Sequence, residues 1–70
     1  MVKVKKFEVG DIVQIAETSE YYGIDRWNPM NVPGRVDEAG EGDLSIIVCW
    51  DNDTENSYNE EDLQLSNLRR

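Results

Sequence analysis

A chain of seventy residues, with one cysteine, no histidine and a formal net charge of −8, holds one domain with a thin core. Such a core rarely supplies more than about 3–5 kcal/mol of net stability. One cysteine excludes an intramolecular disulfide, and the lack of histidine excludes a Cys/His zinc cage.

Val2 to Phe7 is the first strand candidate, with Val2 and Val4 alternating with lysines. Glu8-Val9-Gly10-Asp11 reads as a turn. Asp11 to Ala16 is rich in β-branched residues and predicts a strand. Residues 17–33 keep no period of 2 or 3.6 and carry both prolines and three of the six aromatics. A loop this long in so small a domain is functional or packed by its own side chains. Gly34 to Ala39 predicts a short strand, and Gly40-Glu41-Gly42-Asp43 a tight hairpin turn. Leu44 to Trp50 is the strongest strand: Leu44, Ile46, Val48 and Trp50 share one face, and Ile47 and Cys49 the other. Asp51 to Thr54 is another hairpin turn, followed by a return strand over Glu55 to Tyr58. Asn59 to Asp62 predicts a 3-10 turn that Asn59 can cap. Leu63-Gln64-Leu65 closes as a last strand. No segment has sustained helical amphipathicity, so the expectation is an all-β, five-stranded barrel. Its core spans about residues 7–65, with tails at 1–6 and 66–70.

The order of these parts carries a resemblance. The matching pieces are Gly34-Arg35-Val36, Val48-Cys49-Trp50-Asp51-Asn52, Asn56-Ser57-Tyr58 and Asp62-Leu63. They resemble the G-x-V strand, V-x-W-D-N-G hairpin, N-x-Y strand and D-L pair of SH3-like barrels of the Tudor and mind-bomb-type class. The likeness spans roughly residues 10–65. It departs where Asp53 replaces the turn glycine and where the stretch from Tyr58 to Asp62 is shorter. It implies a single SH3-like barrel with a long first loop and a short 3-10 turn before the last strand. It also implies a module that engages peptides in a groove between the first loop and the hairpins. Compact acidic chains of this kind are similar in style, though not in motif, to small bacteriophage accessory proteins.

Five of the seven basic residues lie at the ends, as Lys3, Lys5, Lys6, Arg69 and Arg70. Between Phe7 and Leu68 stand fifteen acids and only Arg26 and Arg35, a formal charge of −13. That body repels phosphate backbones, which disfavours direct nucleic-acid binding, and suits a basic protein partner or plain solubility. The longest apolar run, Ile46 to Trp50, is too short to span a bilayer, and the lysine-rich start has no signal-peptide core. Cys49 reads as a small core hydrophobe with no activating basic neighbour in sequence. A cytoplasmic setting is expected.

The partner-binding candidates are Tyr21, Tyr22 and Trp27 in the long loop, Trp50 and Tyr58 flanking the hairpin turn, and the acids Asp51, Asp53 and Glu55. Rings beside carboxylates suit a basic or proline-bearing peptide. The strand positions of Trp50 and Tyr58 favour a core role over contact, whereas Tyr21, Tyr22 and Trp27 fit partner contact and loop packing equally. Asp51, Asp53, Glu55 and Asp62 fall at positions 1, 3, 5 and 12 of a calcium-loop spacing, but Asn56 stands where that loop needs glycine, and no metal or cofactor is expected. Nucleophile–histidine systems are absent, and Gly40-Glu41-Gly42-Asp43 lacks the lysine of a phosphate loop, so no enzyme is expected. The favoured reading is a protein-interaction module. The competing one is an acidic nucleic-acid mimic, for example a phage-encoded inhibitor of a nucleic-acid-binding host protein. A structural subunit pairing through a Val2–Phe7 edge is a third.

Overall fold

The computed structural model describes residues 7–66. Its strands are β1 (Ile12–Ile15), β2 (Gly34–Ala39), β3 (Ile46–Trp50), β4 (Glu55–Tyr58) and β5 (Leu63–Leu65), with one 3-10 turn at Glu60–Asp62. They form a single antiparallel sheet in the order β4-β3-β2-β1-β5. Among the described residues the sheet does not close on itself: β4 and β5 are its edges. The expected strand over Val2–Phe7 lies outside the described residues except for Phe7, whose side chain is buried in the core.

Each strand sends alternate side chains inward. Val13 and Ile15 of β1, Val36 of β2, Ile46, Val48 and Trp50 of β3, Tyr58 of β4 and Leu63 of β5 form one cluster with Phe7. Ile47 and Cys49 lie on the opposite face and are half-buried. Register shifts between Val36 and Glu38, so Asp37 bulges and β2 bends there. Before the bulge, β2 pairs on both sides: Gly34 and Arg35 oppose Val13 and Ile12 of β1, and Trp50 and Cys49 of β3.

Gly34 is needed for space. A Cβ there would meet Trp50 Cε3 at 2.5 Å and Val48 Cγ1 at 2.6 Å, far inside van der Waals contact. The Trp50 ring therefore lies on the bare backbone of the neighbouring strand.

One boundary departs from the sequence reading. Leu44 is not in β3, which begins at Ile46. Its φ is +49°, a conformation costly for a branched apolar residue. The 40–45 turn imposes it: Gly40 N–H donates to Ser45 O at 3.0 Å, and Leu44 N–H donates to Asn59 Oδ1 at 2.6 Å. The Asn59 side chain thus ties this turn to the 3-10 segment, whose N-cap it occupies as predicted.

Candidate functional site

Residues 16–33 join β1 to β2, with Tyr21, Tyr22 and Val32 packed against the core. At the base, Ser19 Oγ donates to the buried Asp62 carboxylate at 2.9 Å and accepts Tyr21 N–H at 3.1 Å. Asp62 also accepts Asn59 N–H at 3.4 Å. Tyr21 then lies edge-on to Tyr58, with ring centroids 6.0 Å apart, and Tyr58 lies edge-on to Trp50 at 5.6 Å. Tyr21 and Tyr22 are half-buried against the core, and Tyr22 Oη donates to Asn31 Oδ1 at 3.3 Å.

The loop's tip is a tight turn. Asn28 N–H donates to Asp25 O at 3.1 Å. Asp25 Oδ1 accepts Trp27 N–H at 3.0 Å and Asn28 Nδ2 at 2.9 Å. Asp25 and Asn28 bracket the turn, as short polar side chains do, leaving Arg26 and Trp27 at its apex. The two arms lie side by side, since a Cβ on Gly23 would stand 3.1 Å from Met30 Cβ.

A row of polar side chains holds this tip from β4 and the turn before it. Thr54, Asn56 and Tyr58 are spaced by two and share a side of the extended segment; Asn52 joins them from the turn, across Asp53 with its φ of +67°. Asn52 Nδ2 and Thr54 Oγ1 donate to Arg26 O at 2.9 and 3.4 Å. Asn56 Nδ2 donates to Asn28 Oδ1 at 3.2 Å. The Tyr58 hydroxyl accepts Trp50 Nε1–H at 3.1 Å and has Asn28 Oδ1 at 2.8 Å and Trp27 O at 2.9 Å as acceptors for its proton. The tip is thus gripped by its backbone and by Asn28, which is buried, while Trp27 keeps 54% of its surface exposed. Ile24 and Met30, in the two arms of the same loop, are also more than half exposed.

Electrostatics follow from this packing. Burial pushes the Tyr58 hydroxyl up to about 12, because a phenolate there would lose water. The Tyr21 hydroxyl is also raised, first by the charge of Glu20 and then by desolvation and Asp62.

The eight sequence-predicted contact residues divide sharply. Trp27 is at the exposed apex, and Tyr21 and Tyr22 support the loop from below. Asp51 and Asp53 are exposed on the β3–β4 turn, next to the Asn52 that holds the tip, whereas Glu55 begins β4 opposite Cys49 and so is exposed on the face away from the core and the tip. Trp50 and Tyr58 are buried and offer a partner no face; they position the loop. The calcium-loop spacing does not assemble a site: Asp62 is engaged with Ser19 and Asn59, and among the described residues no group of three or more metal-ligating side chains is placed to hold an ion. Among the described residues no helix is long and apolar enough to cross a membrane. The polar row at 52, 54, 56 and 58 and the exposed Ile24 and Met30 were not singled out from the sequence. The alternation Thr-Asn-Tyr leading into and along β4, next to the core, was the signal for the first. No protein-family model, curated protein or solved structure matches the chain.

Proposed function

We propose that the chain is a non-catalytic, cytoplasmic protein-interaction module built as an SH3-like barrel. It holds a basic or proline-bearing segment of a partner on the tip of its first loop. The strand order β4-β3-β2-β1-β5, the long connection between β1 and β2, and the 3-10 turn before β5 support the barrel reading. The observation that carries the functional reading is Trp27, half exposed on a turn whose backbone is fixed by side chains from β4 and the turn before it. An exposed indole on a preset backbone loses little entropy on binding and contributes a large contact area. Asp51 and Asp53, exposed on the turn whose Asn52 holds the Arg26 carbonyl, favour approach of a basic segment.

Affinity capture tests this. Wild-type protein and Trp27→Ala are incubated with lysate of the native cell and eluted first at low and then at high salt. The reading predicts a protein retained by the wild type past the high-salt wash and lost by Trp27→Ala. Nucleic-acid-binding proteins that leave both baits in salt alone would instead support the acidic-mimic reading, since that attraction is screened. Identical capture by the two baits would exclude the tip.

A further inference from the structure

The apex carries a charge opposite to the rest of the body. Arg26 is one of two basic residues among the fifteen acids of residues 7–68, and it stands beside Trp27 at the top of the turn. The other, Arg35, is paired with Asp37 at 3.1 Å. Arg26 is exposed and enters no ion pair among the described residues. Its fixed part is the carbonyl, which accepts Asn52 Nδ2 and Thr54 Oγ1. The guanidinium is thus carried on an anchored backbone, in a loop tip whose exposed apolar residues are Ile24, Trp27 and Met30. Tryptophan, arginine and methionine are the side chains that interface centres favour, and desolvated arginine there demands an acceptor.

A wholly basic ligand would set its cations against this guanidinium. We propose that the tip selects a peptide segment of mixed charge: an apolar anchor on Trp27, a carboxylate next to that anchor for Arg26, and a basic residue on the side of Asp51 and Asp53. This rests on the reading of the tip as a binding surface and adds the order of charges along its ligand. Arg26 supplies two parallel N–H donors to a carboxylate, which a lysine could not match. The acidic body keeps a uniformly acidic ligand away, so one carboxylate in an otherwise neutral or basic segment is the pattern that satisfies both.

Selection from a displayed random-peptide library at physiological salt separates the two claims. Wild type, Arg26→Glu and Trp27→Ala serve as baits; the contacts that fix residue 26 run through its backbone, so Arg26→Glu keeps the fold, as circular dichroism verifies. The wild type is expected to enrich peptides with Asp or Glu beside an apolar residue, and Arg26→Glu to replace that acid by Lys or Arg. Changing the acid to its amide in a selected peptide should weaken wild-type binding about tenfold and leave Arg26→Glu binding unchanged. If wild type and Arg26→Glu enrich the same residue types, with Trp27→Ala enriching nothing, the charge order is overturned and the tip stands. Enrichment that is absent with every bait, or equal with Trp27→Ala, overturns both.

Discussion

The two tryptophans take opposite places in the fold. Trp50 is 1% exposed and Trp27 is 54% exposed, yet both belong to one hydrogen-bonded assembly. Trp50 Nε1–H and the Trp27 carbonyl meet at the same Tyr58 hydroxyl. Trp50 is held by its ring, which lies on Gly34 and edge-on to Tyr58. Trp27 is held by its backbone, and its ring is left to solvent. A side chain used as core and a side chain offered to a partner thus differ in which part of the residue the fold engages. Composition alone treats the two alike.

The same substitution at the two positions should separate them. Trp50→Ala removes the largest side chain of the core, a change that costs about 3–5 kcal/mol. That matches what a core of this size supplies, so the variant should be unfolded by circular dichroism at room temperature.

Alkaline titration probes the buried partner. The folded-state pKa of Tyr58 is raised to about 12 from 10, so the fold favours the neutral phenol. The stabilisation is fully present below pH 10 and is lost as pH rises through about 12. Urea midpoints should therefore fall between pH 10 and pH 12. A midpoint flat across that window would show the Tyr58 hydroxyl to be solvated.

Gly34→Ala tests the seat of Trp50 without touching the ring. Overpacking against Cε3 and Val48 Cγ1 should cost about 1–3 kcal/mol, read as a lower urea midpoint, with a red shift of tryptophan emission as the indole is displaced. Smallest in stability is Trp27→Ala, expected to cost about 1 kcal/mol because only part of the indole surface is withdrawn from water. Its effect should fall on partner capture. A large stability loss there would make Trp27 a structural residue and erase the contrast.

The strands were legible because their signals are local. The β-branched run at Ile12–Ile15, the alternation through Ile46–Trp50 and the polar turns at 40–43 and 51–54 each act within a few residues. Leu44 was misplaced because its conformation is set by Asn59, fifteen residues away. The bulge at Asp37 likewise arises from pairing with β3, not from residues 36–38 themselves. The candidate site was half legible: aromatic and acidic residues pointed to the loop and the hairpin. Its rings could not be sorted into supports and contacts, since the bonds that sort them, from Asn52, Asn56 and Tyr58 to residues 26–28, join residues 26–31 positions apart.

The central claim is that the loop tip is preset while its indole is open to solvent. Amide hydrogen exchange by nuclear magnetic resonance reads both halves in one sample. The account predicts slow exchange at the backbone N–H groups of Trp27 and Asn28, which donate to Asp25, and at the Trp50 indole N–H, with the Trp27 indole N–H exchanging at the rate of a free peptide. Fast exchange at both backbone amides, or protection of the Trp27 indole, would contradict it.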